Sequence, residues 1–266
     1  MGKIISVTNQ KGGVGKTTTA INLAACLALS GRRVLVLDID PQGNATSGLG
    51  ATLSAGKKGL YELLIGNSSL EQAIYPTAIE TLKIIPSSVN LSGAEIELVP
   101  EENREKKLRV ILEGIGQEFE FVIIDCPPSL GLLTLNALTA SNSVLIPMQC
   151  EYYSLQGLSH LLKTLKLIKH SINPGLIVEG IVLTMYDGRT ALAGEVKEQV
   201  EKYFKDYLLK TIIPRNIRLS EASGHGKPVV LYDNRSRGAD AYVELAKEII
   251  ARSKINGIKT SVEKPI

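Results

Sequence analysis

Residues 10–18, Q-K-G-G-V-G-K-T-T, restrict this chain more than any other stretch. An apolar run over residues 4–8 precedes them and reads as a buried strand, and a helical run over 19–30 follows. A strand that turns through glycines into a helix is the local architecture of a phosphate-binding loop. Gly12, Gly13 and Gly15 free the backbone to curl, so that several N–H groups converge on one point. The helix N-terminus adds the positive end of its dipole there. Lys16 supplies a mobile charge for β- and γ-phosphates, and the Thr17 hydroxyl suits Mg²⁺. The candidate cradle is therefore Gly12, Gly13, Val14, Gly15, Lys16, Thr17 and Thr18. The general pattern G-x-x-x-x-G-K-[ST] asks for glycine at position 10; this chain has Gln10, followed by a second lysine, Lys11.

The rest of the chain repeats that alternation. Apolar runs at 34–37, 82–85, 119–124, 143–148, 178–184 and 208–213 read as strands. Helical patterns fall at 60–65, 70–75, 94–98, 102–115, 130–140, 155–170, 192–204 and 239–253. Residues 45–60, rich in Gly, Ser and Thr, and residues 224–237 read as loops. The expected fold is α/β: a single-domain P-loop NTPase with a twisted, mostly parallel sheet flanked by helices on both faces. At 266 residues one large domain suffices, assigned to 1–253, with a polar tail at 254–266.

Carboxylates stand where such a sheet places its ligands, beyond the carboxyl ends of strands. The strand at 34–37 ends in D-I-D-P-Q-G-N, which brings Asp38 and Asp40 there. Asp and Pro also favour turns, but downstream of a phosphate loop a carboxylate here can hold Mg²⁺ through water or orient the attacking water. The strand at 119–124 ends in Asp125-Cys126-Pro127-Pro128-Ser129, an acidic residue on a rigid mount near the metal. Cys126 reads as a small buried hydrophobe. Glu151 is open between a neighbour of a helix cap and an interface carboxylate. His160 and His170 have no second ligand at metal spacing.

K-G-G-V-G-K-T-T with its leading lysine resembles the deviant Walker A motif of the ParA/MinD family of ATPases. V-L-D-I-D-P-Q-G-N is similar to the family's second motif, and D-C-P-P-S to its second switch on the ParA side. I-P-R-N-I-R-L-S-E-A is similar to its adenine-binding segment. The resemblance implies that Lys11 crosses a dimer interface to the partner's nucleotide, that Asp38 lies near Mg²⁺, and that Asp40 supports hydrolysis. It puts Pro214 and Asn216 at the base. The catalytic set is then Lys11, Lys16, Asp40 and Asp125, with Thr17, Asp38 and Asp125 at the metal and ATP or ADP with Mg²⁺ bound.

Charge and composition narrow the role. The formal net charge is only +3, yet positions 202–237 carry eight Lys/Arg against three Asp/Glu. Such an excess suits a solvated face with ion pairs, and it equally suits non-specific phosphate contacts to duplex DNA, which need no base-reading motif. The resemblance covers nearly the whole chain on the chromosomal ParA (Soj) branch. It implies DNA contacts at Arg189 and Arg218, with Lys202, Lys205 and Lys227 as lesser candidates. It further implies an ATP-dependent homodimer and a ParB-type centromere-binding protein that stimulates hydrolysis. Three scattered cysteines form neither a disulfide set nor a cluster site. The expected setting is cytoplasmic and nucleoid-associated, with no signal-peptide pattern and no membrane span. A MinD-like membrane-associated positioning ATPase is the alternative. It would need an amphipathic tail, whereas residues 255–266 contain Gly257 and Pro265 and lack a sustained apolar stripe.

Overall fold

The computed structural model describes residues 2–53 and 56–259, the last six of these by their backbone alone. Eight strands form one sheet: β1 (Lys3–Val7), β2 (Val34–Asp38), β3 (Tyr75–Pro76), β4 (Leu82–Ile85), β5 (Phe121–Asp125), β6 (Ser143–Gln149), β7 (Ile177–Tyr186) and β8 (Leu208–Pro214). Their spatial order is β3-β4-β2-β5-β1-β6-β7-β8. Every neighbouring pair is parallel except β3–β4. The expected α/β fold is the one observed.

Among the described residues twelve α-helices connect or cover the strands. The first six are α1 (Lys16–Leu29), α2 (Asn44–Gly48), α3 (Leu60–Leu64), α4 (Leu70–Ala73), α5 (Leu91–Glu97) and α6 (Lys107–Ile111). They are followed by α7 (Leu132–Ala140), α8 (Ser154–Ser171), α9 (Ala191–Phe204), α10 (Ile217–Gly224), α11 (Val229–Tyr232) and α12 (Arg237–Lys259). Strand side chains alternate between two layers. Val34, Val36 and Ile123 pack with residues of α1 and α12, whereas Leu35, Leu37, Val122 and Ile124 pack under α3, α5, α6 and α7. Val144, Ile146 and Met148 of β6 pack with α8 and α9. Burial on both faces is why these strands read as unbroken aliphatic runs. Each fully buried aliphatic side chain contributes about 1.5–3 kcal/mol.

Several local expectations fail for identifiable reasons. Residues 45–60 are not all loop: α2 forms because the Asp38 carboxylate accepts from Thr46 N and Thr46 Oγ1, both at 2.7 Å, satisfying first-turn donors from outside the helix. The single helix expected over 102–115 is broken. Asn103 and Gly114 take positive φ (53° and 81°), leaving 3₁₀ turns at Arg104–Lys106 and Ile115–Gln117 around α6. Residues 70–75 end as helix at Ala73 and turn into β3, antiparallel to β4. Residues 224–237 carry α11, entered through Pro228. The last helix runs six residues past Ser253, so the first part of the expected tail is helical; residues 260–266 lie outside the described residues.

Candidate functional site

The site is built at the carboxyl ends of the central strands. The chain's excursions to β2, β4 and β5 on one side and to β6, β7 and β8 on the other part at β1. From β1 the chain enters the glycine loop and then α1. Gly13 and Gly15 adopt φ of 73° and 85°, a left-handed conformation that side chains with a Cβ disfavour. A Cβ added at Gly12 or Gly13 would meet nothing within 4 Å, so both glycines face open space.

Three residues hold the loop from outside. Asn9 donates from Nδ2 to Pro147 O (2.8 Å) and accepts from Lys11 N (3.0 Å). Thr184 Oγ1 donates to Val14 O at 2.8 Å, and Gln149 Nε2 to Gly13 O at 3.3 Å. None of the three was among the candidates read from the sequence. A signal was available, since each is a polar residue within two positions of the carboxyl end of a largely apolar central strand.

The carboxylates are brought together by strand register. Asp38 of β2 pairs directly with Asp125 of β5, and Asp125 also lies opposite Val7 at the end of β1. Asp38 and Asp125 are fully buried and Asp40 nearly so. Asp38 has partners in Thr46 and in Asp40 N (3.3 Å), and Asp40 Oδ1 accepts from Gln42 N at 3.0 Å. Asp125 has none among the described residues: both oxygens are buried without a hydrogen bond there. Thr17 lies close enough to favour its ionised form without completing one. Burial pushes Asp38 up to about 6. Burial, with the charge of Asp38 added, holds Asp125 well above the ordinary carboxylate range. Lys16, buried among them, is shifted down by burial, a shift opposed by the charges of Asp125 and Asp40.

These groups fit a magnesium ion. Two buried anionic side chains and a hydroxyl are hard oxygen donors, and the bare oxygens of Asp125 lack the charge partner that burial demands. Among the described residues no three His, Cys, Asp or Glu close into a metal cage. Mg²⁺ instead commonly keeps waters and takes one or two carboxylates together with phosphate oxygens.

The two loop lysines point differently. Lys16 is 6% exposed, and its Nζ donates to Lys11 O at 2.9 Å across the loop. The Lys11 side chain is 41% exposed and pairs with Glu151. Glu151 thus has an intramolecular partner, while its backbone carbonyl accepts from Ser154 N (3.0 Å) at the entry to α8. Beside the loop lies a cleft of about 320 Å³ lined by Gly15, Thr18, Thr184, Met185, Pro214, Asn216 and Tyr242, among others. Its position beyond the phosphate loop suits a base. Asn216 caps α10 by accepting from Arg218 N (2.9 Å) and borders the cleft at the same time, so its turn role and its place at the cleft coexist.

The basic candidates do not form one patch. Arg189 follows β7 and pairs with Asp187, holding that carboxyl down at about 2. Arg218, in the first turn of α10, pairs with Glu221 (2.7 Å) and Asp233 (3.2 Å). Lys202 and Lys205 lie at the far end of α9 from Arg189, about 20 Å along a helix of that length. Lys227 is exposed beyond α10. Arg189 and Arg218 therefore share the ligand edge of the sheet, and Lys202 and Lys205 do not.

A family model described as "AAA domain" matches residues 2–178. The chain is 58% identical over 251 residues to the sporulation initiation inhibitor protein Soj of Bacillus subtilis, covering 94% of this chain and 99% of that protein. It is 52% identical over 252 residues to the chromosome partitioning protein ParA of Myxococcus xanthus, covering 95% and 89%. In three dimensions it is similar to a cobyrinic acid a,c-diamide synthase from Mycobacterium smegmatis with bound ADP and magnesium, with a TM-score of 0.83, 36% identity and 96% of each chain covered.

Proposed function

The chain belongs to the AAA-domain family, among the ParA/Soj chromosome-partitioning ATPases, and from that premise we propose that it is an ATP-driven switch for non-specific DNA binding. It is an ATPase, working with ATP or ADP and Mg²⁺. In the proposed mechanism the loop N–H groups and Lys16 hold the phosphates, while Thr17, Asp38 and Asp125 hold the metal. A Mg²⁺ ion held there would supply charge neutralisation for phosphoryl transfer to water. Asp40, with one oxygen fixed by Gln42 N, orients the attacking water. Pro214 and Asn216 border the base.

The observation that carries the switch is the outward course of Lys11. Lys16 already fills the interior of its own cradle, and the Lys11 ammonium lies on the open surface beside Glu151. That leaves Lys11 available to a second copy placed face to face, where it completes the partner's site. Such a dimer doubles the number of basic contacts, so DNA affinity rises steeply with dimerisation. Hydrolysis, stimulated by a ParB-type centromere-binding protein, releases both, in the service of chromosome segregation on the nucleoid. No helix among the described residues is long and apolar enough to cross a membrane.

The test is duplex-DNA binding with ADP and with ATP across a salt series. Binding that requires ATP, weakens with salt and ignores sequence is expected; no binding in either nucleotide state would overturn the switch. Arg189→Glu combined with Arg218→Glu should abolish DNA binding at moderate salt while ATP-dependent dimerisation persists. Retained DNA binding would remove these arginines from the interface. Asp40→Ala should bind ATP, hydrolyse it about a hundredfold more slowly and accumulate as the dimer on size-exclusion chromatography. Normal turnover would contradict the role given to Asp40.

A further inference from the structure

Strand β2 delivers Asp38 to the site, but the direction in which its carboxylate faces is set from two other elements. Strand β4 runs parallel to β2, with Leu37 level with Ile85, and the chain continues from it to Ser87. Thr46 of α2, 5% exposed, bridges the two strand ends. Its Oγ1 accepts from Ser87 N at 2.9 Å and donates to Asp38 Oδ2 at 2.7 Å. A backbone N–H can only donate, so Oγ1 is the acceptor in the first bond and its one hydrogen is directed into the second. The hydroxyl thus has a single setting that satisfies both partners.

The two oxygens of Asp38 are therefore unequal. Oδ2 receives Thr46 N and Thr46 Oγ1, both at 2.7 Å, and an ionised carboxylate oxygen accepts about two hydrogen bonds. Among the described residues Oδ1 receives only Asp40 N, at the longer distance of 3.3 Å. Oδ2 is filled within the protein, and Oδ1 is the atom left for an outside partner. Without the Thr46 hydroxyl, Oδ2 would keep one donor, Ser87 N would lose its acceptor, and the carboxylate could turn to present either oxygen.

We propose that Thr46 is a positioning residue for the metal: it fixes the Asp38 carboxylate so that Oδ1 alone is offered to Mg²⁺ or to a water on it. The inference rests on Asp38 serving the metal, as described above, and adds the residue through which it does so. Outer partners of this kind change metal affinity by about 10–100-fold.

The experiment measures AMP-PNP affinity by titration calorimetry, with Mg²⁺ and with EDTA, in the natural chain and in Thr46→Val, Thr46→Ser and Asp38→Asn. The ratio of the two affinities isolates what the metal adds. The valine chain should bind as the natural chain does in EDTA and lose roughly tenfold or more of the Mg²⁺ gain. Its turnover should need a correspondingly higher Mg²⁺ concentration for half-maximal rate. The serine chain, which keeps the hydroxyl, should retain the gain. Should the valine chain not fold, Thr46→Ala takes its place, since alanine also lacks the hydroxyl and favours helix. A full Mg²⁺ gain in the valine or alanine chain, or a serine chain as weak as these, would overturn the positioning role. Binding already weakened in EDTA would overturn it too, because the damage would then lie in the loop. Asp38→Asn separates this role from the metal reading. If it loses the gain while the valine chain keeps it, only the role of Thr46 falls; if it keeps the gain, Asp38 does not serve the metal and both fall.

Discussion

Replacing Lys16 with alanine should lower ATP turnover by about a thousandfold and reduce nucleotide affinity to the limit of calorimetric detection. The magnitude follows from the site. Lys16 is a buried cation within reach of the charges of Asp125 and Asp40, 6% exposed, so its charge is only partly screened by water. At an effective dielectric constant of about 20, one charge pair at 4 Å contributes about 4 kcal/mol, and a triphosphate brings several negative charges to the same place. Without the lysine those charges meet Asp38, Asp40 and Asp125 across the loop. The nucleotide-free fold should survive, because Lys16 gives up only one hydrogen bond, to Lys11 O, and the anchors from Asn9, Thr184 and Gln149 keep the loop in place. Lys16→Arg should not rescue, since a planar guanidinium does not replace a compact ammonium among converging N–H groups. Undiminished ATP binding by the alanine variant, measured by titration calorimetry on folded protein, would remove the phosphate-loop assignment.

The legible and illegible parts of this chain divide by the range of the forces involved. The strands are readable because burial on both faces makes them aliphatic throughout, and the glycine loop because its geometry is written in nine consecutive residues. Asp38 and Asp125 are each readable as strand-end acids. Their contact is not, because it depends on β2 pairing with β5 across more than eighty residues. The same long reach hides α2. Its first-turn donors are satisfied by Asp38, and Thr46 Oγ1 in turn accepts from Ser87 N at 2.9 Å, so a Gly- and Ser-rich stretch becomes helix. The basic candidates show the opposite failure. All but Arg189 cluster in sequence between 202 and 237, yet α9 carries Lys202 and Lys205 away from the ligand edge that Arg189 and Arg218 share, so density along the chain overstated density on the surface.

Asp125→Asn should stabilise the nucleotide-free protein while removing most of its activity. Asp125 is fully buried, neither oxygen has a hydrogen bond among the described residues, and Asp38 stands beside it in register. Burial raises both carboxyls, Asp38 to about 6 with the charge of Asp40 adding to the shift, and Asp125 well above the ordinary range with the charge of Asp38 adding to its own. In the unfolded chain both titrate near about 3.9. Between that value and the raised native values the folded protein binds more protons than the unfolded one, so its stability must fall as pH rises through the window. The nucleotide-free natural chain should therefore melt at a higher temperature near pH 5 than at pH 8, with respect to these groups. The asparagine variant, with a neutral amide facing Asp38, should show a flatter profile and at pH 7.5 gain about 2 kcal/mol, or roughly 4 °C in a chain of this size. Mg²⁺ with nucleotide should reverse the ranking. The natural chain gains from filling the site in proportion to its affinity, and the variant, with a metal ligand lost, gains less and turns over at least about a hundredfold more slowly. The check is melting temperature against pH for both proteins, with and without Mg²⁺ and nucleotide. A variant less stable than the natural chain when nucleotide-free would mean that Asp125 is satisfied within the protein itself, and that its oxygens do not await a cation.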